Sequence, residues 1–325
     1  DYSYCPDFSR YDDDDKDAMW KFMAPLWDGA IAPMLGQSAM AMAYKYRHEV
    51  VRSHVNQISD EMAANVREFA DLLRTHVGEA LPVDESEVFL RQNRPTQRRI
   101  LEKSREIVND AYAYVKAFIK REAYPGPKAP RIITTSDKNK MRFSQFCLGI
   151  SARIKARGVR WYAFGLSPRQ TCLRVADMCC GAKSVTETDF SKFDGTYSEA
   201  YRTIEKMLFA AMLPARHRDE FLDMLVGTYG NTVHWAFGSY KQGFARGSGF
   251  PDTSLGNTLA NAFCNFCALR MMRTGGRHLT PEECWTRLGL YGGDDGFTPD
   301  VVPENLVTCA KQLGFVVTSV VRVPG

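Results

Sequence analysis

The stretch Leu290-Tyr291-Gly292-Gly293-Asp294-Asp295-Gly296-Phe297 constrains this chain more than any other. Two adjacent carboxylates sit between glycines, with apolar residues on both sides. Glycine supplies the backbone angles of a tight hairpin, and two flanking strands would let the aspartates project from its tip. Such a tip suits Mg²⁺, a hard cation that takes one or two protein carboxylates and fills its shell with water and substrate phosphate. Gly and Asp are also common turn formers, so an ordinary surface turn has the same residues. The catalytic reading needs a second carboxylate, a ribose reader and a phosphate clamp elsewhere in the chain.

With 325 residues, 45% of them hydrophobic, the chain can bury one large core or two intimate subdomains. A net charge of +4 is compatible with a polyanionic partner, but local clusters of Lys and Arg say more than the total. The nine cysteines are odd in number and irregularly spaced, which points to a reducing compartment. Cys264 and Cys267 form a lone Cys-x-x-Cys on a predicted helix, where buried packing is expected rather than zinc. No apolar run approaches the length of a transmembrane helix, and no signal peptide is visible. The chain opens at Asp1 and stops at Gly325 after an apolar strand, so it is expected to be a piece of a longer protein, with any membrane anchor outside it.

The run Asp12 to Asp15 reads as a solvated loop. Apolar spacings of three and four predict a helical stretch over Ser38 to Gly78 and a second helix from about Pro95 to Lys120, with Val115 and Phe118 on its apolar side. Its start carries Arg91, Arg94, Arg98 and Arg99, which fit a solvated face as well as a nucleic-acid contact. Arg131 to Thr135 reads as a strand, preceded by a proline-stiffened loop that carries or borders Lys120, Arg121, Lys128 and Arg131. A preordered cationic loop loses less entropy when it grips a triphosphate. Lys138, Lys140 and Arg142 extend this patch, and Arg153, Lys155, Arg157 and Arg160 fit a groove that follows a phosphate backbone. Further strands are expected at Val185 to Phe190 and Phe315 to Val321, and a hairpin around Gly238-Ser239. Helices are expected at Ser198 to Leu213, through Leu255 to Leu269, and from about Pro303 to Leu313. Strands, hairpins and helices without regular β–α alternation make an α+β pattern with an antiparallel sheet.

Asp189 ends the first of these strands, 105 residues (294 minus 189) before Asp294. Aspartates on adjacent strands could share a metal pair, with one ion activating the attacking oxygen and the other stabilising the leaving oxygen. Phosphoryl transfer demands mainly positioning and charge neutralisation, so carboxylates with Lys and Arg suffice. Asp194 could cap the following helix or hydrogen-bond a sugar hydroxyl. Thr253 and Asn257, four apart, share a helix face behind the Ser248-Gly249 turn, and Asn both donates and accepts as a hydroxyl reader must. An ordinary helix start would use the same residues.

Asp189-x4-Asp194, then Ser248-Gly249-x3-Thr253-x3-Asn257-Thr258, then Gly293-Asp294-Asp295, in this order, resemble palm motifs A, B and C of the RNA-dependent RNA polymerases of positive-strand RNA viruses. Phe118-Ile119-Lys120-x-Glu122 with Pro130-Arg131-Ile132 resembles fingers motif F of the nodavirus- and tombusvirus-like groups. The resemblance covers about Lys120 to Phe315. It implies a right-hand polymerase fold: an N-terminal region and helix-rich fingers over 1–180, and a palm over 181–325, with 213–247 partly fingers. It implies that Asp189, Asp294 and Asp295 hold two Mg²⁺ ions, for which Mn²⁺ could substitute. Asp194, Ser248, Thr253 and Asn257 would select ribose, and Lys120, Lys128 and Arg131 would hold the triphosphate. The implied partners are RNA template and primer, ribonucleoside triphosphates and other viral replication proteins. The implied location is host cytoplasm, in a complex bound to membrane through regions outside this chain.

Two features depart from the family pattern. The strand Phe315 to Val321 lacks the lysine expected as general acid for pyrophosphate, and the chain ends where a thumb would begin. A dinucleotide cyclase would also carry Gly-Gly-Asp followed by an acid, but would not need the Asp189–Asp194 pair or the Ser248–Asn257 helix start. A reverse transcriptase would carry Tyr-x-Asp-Asp, whereas Gly292 and Gly293 precede the aspartates here. An RNA-binding protein with a decayed palm is disfavoured by the presence of every acidic ligand, but the missing thumb leaves that alternative open.

Overall fold

A computed structural model describes residues 20–22, 31–106, 115–124, 129–236 and 238–323. Lys128, the Asp12–Asp15 run and the prolines at 125 and 127 lie outside the described residues.

Strands β1 (Trp20–Phe22) and β2 (Ile31–Pro33) form an antiparallel pair. Helix α1 (Gln37–Tyr44) runs into a π-helical turn at Lys45–Glu49. Helix α2 (Asp60–His76) starts at Ser59, whose hydroxyl accepts from the Met62 amide and satisfies one of the free N–H groups of the first turn. The single helical stretch expected over Ser38 to Gly78 is therefore two helices, separated by the π turn and a segment without regular secondary structure. Helices α3 (Glu85–Arg91) and α4 (Pro95–Glu106) follow.

The helix expected to reach Lys120 also stops early. Val115–Ile119 is strand β3, with Val115, Ala117 and Ile119 buried and Lys116 and Phe118 exposed. Val115 and Phe118 satisfied a spacing of three, but pairing with neighbouring strands buries the period-two set instead. β3 pairs with β4 (Ile132–Thr135), and helices α5 (Lys140–Ala156) and α6 (Pro168–Cys179) come next. Strand β5 (Val185–Phe190) occupies the residues expected for it. Then follow α7 (Glu199–Ala211) and α8 (Ala215–Val226). The next hairpin pairs β6 (Thr232–Trp235) with β7 (Gly238–Lys241); Gly238 and Ser239, expected at its turn, are paired residues of β7.

The C-terminal third holds α9 (Thr253–Arg270), the short strands β8 (Arg273–Thr274) and β9 (Arg277–His278), and α10 (Pro281–Arg287). β10 (Leu290–Gly292), β11 (Asp295–Pro299), α11 (Pro303–Leu313) and β12 (Val317–Arg322) complete the described chain. Among the described residues no helix is long and apolar enough to cross a membrane.

Two four-stranded sheets position the site. The first, in order β10-β11-β5-β12, is antiparallel throughout. Along β5, Thr186, Thr188 and Phe190 are buried while Glu187 and Asp189 are exposed, so one face meets the core and the other is open. The second sheet, in order β4-β3-β6-β7, is antiparallel except for the parallel pair β3–β6. The fold is thus mixed α and β, with the expected antiparallel sheet.

Helix α9 is buried from Leu255 to Leu269, which marks it as a core helix rather than an amphipathic surface one. Its Phe263 and Phe266 pack on Phe69 of α2, with ring centroids 5.5 and 5.0 Å apart. Cys264 and Cys267 lie inside this core, as expected for packing residues. A second aromatic group, Phe190, Phe193, Tyr197, Tyr201 and Phe315, fills the space beyond the end of β5.

Candidate active site

A cleft of about 570 Å³ opens between the two sheets. Asp189, Asp194, Ser248, Thr253, Asn257, Asp294, Lys120 and Arg131 all line it. They come from β5, the turn after it, the loop before α9, α9 itself, the β10–β11 turn and the β3–β4 connection. Asp295 is not on the cleft wall. It stands directly opposite Asp189 across the β5–β11 pair, and both are exposed. Residues paired in this way project to the same face. Of the residues expected at the triphosphate, Lys128 lies outside the described residues.

The turn that presents Asp294 has a definite backbone cause. Gly292 pairs with Asp295, which leaves Gly293 and Asp294 as a two-residue loop. Gly293 has φ +76°, and Asp294 is not among the positive-φ residues. That is the pattern of a type II′ turn, whose first central position favours glycine. The loop is held from behind by α9. Thr258 Oγ1 accepts from the Gly293 amide at 2.9 Å. Asn261 Nδ2 lies 3.2, 3.4 and 3.3 Å from the carbonyl oxygens of Gly293, Asp294 and Asp295. One turn further on, Asn265 Oδ1 accepts from Thr298 Oγ1 of β11 at 2.7 Å. Asn257, Asn261 and Asn265 recur every four residues, so they form one polar stripe on a helix otherwise buried in apolar contacts. The sequence reading named Asn257 but missed Asn261 and Asn265; the repeated spacing was the available signal.

The corner around Asp194 is fully hydrogen-bonded. Its Oδ2 accepts from Ser248 Oγ, and its Oδ1 accepts from Asn257 Nδ2 at 2.8 Å. Asn257 Oδ1 in turn accepts from the Tyr197 hydroxyl at 2.8 Å. Asp194 thus joins two of the other expected sugar readers, and the cap of the following helix is not Asp194 but Ser198, whose hydroxyl accepts from the Tyr201 amide. Thr253 behaves differently. Its hydroxyl lies 2.8 Å from the Gly247 carbonyl and 2.9 Å from that of Phe250, the geometry of a helix-start staple. Gly249 lets this loop lie on β4, because a Cβ there would stand 2.2 Å from the Thr134 carbonyl oxygen.

Beneath the corner runs a buried ionic network. Arg246 pairs with Glu205 and Asp252, and Arg202 reaches Glu205 at 2.7 Å. The Arg246 amide donates to the Asp194 carbonyl at 2.8 Å, which ties the network to the cleft. Burial pushes the Asp252 carboxyl up, and the Arg246 guanidinium opposes it.

On the opposite wall, Lys120 pairs with Glu122, and Arg131 Nε lies 3.7 Å from the same carboxylate. Burial pushes Glu122 up, but the hydrogen bond and charge of Lys120, with Arg131, outweigh it and hold the carboxyl below its ordinary value. Besides Arg246, two further cations that the sequence did not single out line the cleft. Arg47, in the π turn, donates to the Ala129 carbonyl at 3.1 and 2.9 Å. Lys192 follows Asp189 by three residues and has φ +53°. Burial lowers the pKa of both, and Arg47 lowers that of Lys192 further. A run containing Lys45, Arg47 and His48 was the only signal for Arg47.

The donor set at the hairpin fits a hard divalent cation. Among the described residues no ion pair is formed by Asp189, Asp294 or Asp295. Partial burial pushes the Asp294 carboxyl up, and the Asp295 and Asp194 carboxylates push the same way, against Arg131. A cation would relieve all three. Among the described residues no three His, Cys, Asp or Glu side chains form a ready-made metal cluster. Mg²⁺ does not require one, since water and phosphate complete its shell.

The chain is similar to several viral proteins. It is 29% identical over 258 residues to the RNA-directed RNA polymerase of Nodamura virus (strain Mag115), covering 77% of this chain and 24% of the viral protein. The enzyme of the same name from Atlantic halibut nervous necrosis virus is 29% identical over 272 residues, covering 82% and 27%. That of Pariacoto virus is 30% identical over 275 residues, covering 79% and 26%. The chain therefore spans about a quarter of the length of the curated relatives it matches. No protein-family model matches it. The resemblance to nodavirus polymerases expected from the four motifs is borne out along most of the chain.

Proposed function

We propose that this chain, related along most of its length to nodavirus RNA-directed RNA polymerases, carries the nucleotidyl-transfer site of such an enzyme. The reaction is template-directed transfer of a ribonucleotide from its triphosphate to an RNA 3′-hydroxyl, with release of pyrophosphate, in viral genome replication. The observation that carries this reading is the meeting, in one cleft, of Asp189 and Asp294 with the hydrogen-bonded Asp194–Ser248–Asn257 group and the cations Lys120 and Arg131.

In this reading the β10-β11-β5-β12 sheet with its helices is the palm, and the β4-β3-β6-β7 sheet with the N-terminal helices belongs to the fingers. Asp189, Asp294 and Asp295 would hold Mg²⁺, which when bound supplies charge neutralisation at the reacting phosphate and lowers the pKa of the attacking hydroxyl. Lys120 and Arg131 bind the triphosphate; each is shared with Glu122, so a phosphate competes with one carboxylate for both. Arg47 and Lys192 add positive charge to the same wall. Asp194 and Asn257 present an acceptor and a donor to the 2′-hydroxyl, and Ser248 keeps Asp194 in place. RNA template and primer occupy the open side of the cleft, in a replication complex of the host cytoplasm.

The test is incorporation of labelled ribonucleotide on an RNA primer–template with Mg²⁺, by a protein that carries this sequence. Template-directed extension by wild type and none by Asp294→Ala is expected. Equal extension by both would remove Asp294 from the chemistry.

A further inference from the structure

The hydrogen bonds around Asn257 do more than join it to Asp194. A side-chain amide can sit in its pocket two ways, and the surrounding donors and acceptors decide which. Here Nδ2 faces the Asp194 carboxylate and Oδ1 faces the Tyr197 hydroxyl. Rotated by half a turn, the amide would set its oxygen against a carboxylate oxygen and lose the donor that the sugar corner needs.

Tyr197 is fully buried, so its hydroxyl has no water to turn to. Burial pushes its pKa up, which keeps the hydroxyl protonated and able to donate. The ring is held by charged and aromatic neighbours. The Arg246 guanidinium lies 4.4 Å and that of Arg202 4.7 Å from its centroid. Tyr201 meets it edge-on at 5.3 Å, and Phe193 and Phe315 close the pocket at 5.6 and 5.4 Å. The two guanidiniums are held by Glu205, and Arg246 also by Asp252. The hydroxyl is therefore aimed at Asn257 by a scaffold that contains no residue of the hairpin.

We propose that Tyr197 is a positioning residue for sugar selection, acting through the orientation of the Asn257 amide. The inference rests on the sugar-reading role given to Asp194 and Asn257 above. Tyr197 does not touch the nucleotide. Its hydroxyl donates to Asn257 Oδ1, which leaves one Nδ2 hydrogen for Asp194 and the other for the 2′-oxygen of the incoming nucleotide. The preference for ribose over deoxyribose then depends on a hydroxyl one residue removed from the sugar.

Tyr197→Phe keeps the ring and its cation–π contacts and removes only the hydroxyl. The measurement is the affinity of this chain for ATP and for 2′-deoxy-ATP with Mg²⁺, in wild type, Tyr197→Phe, Asn257→Ala and the double variant. Tyr197→Phe is expected to lower the ATP-to-dATP preference about tenfold, close to 1.4 kcal/mol. Asn257→Ala should lower it at least as far, and the double variant no further than Asn257→Ala alone. An unchanged preference in Tyr197→Phe, with the preference lost in Asn257→Ala, overturns the role of Tyr197 and leaves the sugar reader standing. An unchanged preference in Asn257→Ala overturns the sugar reader and this inference with it. Multiplied losses in the double variant would place the action of Tyr197 elsewhere. Should Tyr197→Phe fail to fold, hydrogen exchange of the Asn257 side-chain amide in wild type decides. Slow exchange supports the proposal; exchange as fast as that of an exposed asparagine overturns it.

Discussion

The sugar corner and the aspartate hairpin line the same cleft but are built in opposite ways. Around Asp194 the side chains are joined to one another: Ser248 and Asn257 donate to its carboxylate and Tyr197 donates to the Asn257 amide oxygen, above a buried ionic network. At the hairpin the backbone is tied down by Thr258 and Asn261, while the carboxylates themselves are left without a cationic partner among the described residues. Recognition of a neutral hydroxyl favours a preformed hydrogen-bond pattern, because an unmatched substrate then leaves buried polar groups unpaired. Binding a dication favours the reverse, carboxylates kept close by a rigid backbone and stabilised only when the ion arrives. Helix α9 serves both regions from one stripe of asparagines.

The contrast can be broken at several points. Asp294→Ala should have the largest effect, lowering extension by about ten-thousandfold, roughly 5.5 kcal/mol of transition-state stabilisation, with RNA binding and melting temperature close to wild type. A large loss of RNA binding would show that the hairpin is structural. Glu205→Gln should act on the other region and on stability. It leaves Arg246 buried without its main counter-charge and should cost about 3–5 kcal/mol in denaturant unfolding. A loss comparable with that of an exposed pair would mean that the network is dispensable.

Asn261→Ala links the two regions. Removing the amide from three hairpin carbonyls should cost about 1–3 kcal/mol of stability and weaken divalent-ion binding, while leaving ribose preference intact. Loss of ribose preference instead would mean that the regions are not separable. Asp194→Ala or Asn257→Asp should relax the ribose preference about tenfold, near 1.4 kcal/mol. Unchanged discrimination in both would remove the sugar reader.

The smallest expected effect is electrostatic. The folded-state pKa of Asp294 is raised, so in the absence of divalent ions its ionised form destabilises the fold at neutral pH. The folded state binds that proton more tightly than the unfolded state, and stability falls as pH rises between the two pKa values. Asp294→Asn should therefore melt slightly higher than wild type at pH 7 in EDTA. The difference should shrink as pH falls toward about 3.9, the unfolded value, and should also shrink when Mg²⁺ is added. A lower melting temperature for Asp294→Asn under those conditions would contradict the unpaired-carboxylate description.

Local sequence was enough for elements whose pattern admits one period. The strand at Val185–Phe190 and the helix at Pro303–Leu313 run over the residues expected for them. It failed where two periods fit the same residues. Val115 and Phe118 suit a helix by spacing, yet tertiary pairing makes that segment a strand. It also failed at the turn Lys45–Glu49, which a distant contact helps to hold: Arg47 donates to the Ala129 carbonyl. The site was legible as motif residues and their order, because carboxylates, Asn and Gly are few and their spacing is short. The supports were not. Arg202, Glu205, Arg246 and Asp252 form no motif in the sequence, and only the fold buries them together; Tyr197 is one more aromatic beside a helix start.

Divalent-ion binding tests the central claim most directly. Mn²⁺ can be followed by electron paramagnetic resonance as it is titrated into the chain with ATP present. Wild type is expected to bind Mn²⁺, and Asp189→Ala and Asp294→Ala are each expected to weaken that binding by about tenfold or more. Binding as tight as wild type in either variant would show that the two carboxylates do not share an ion.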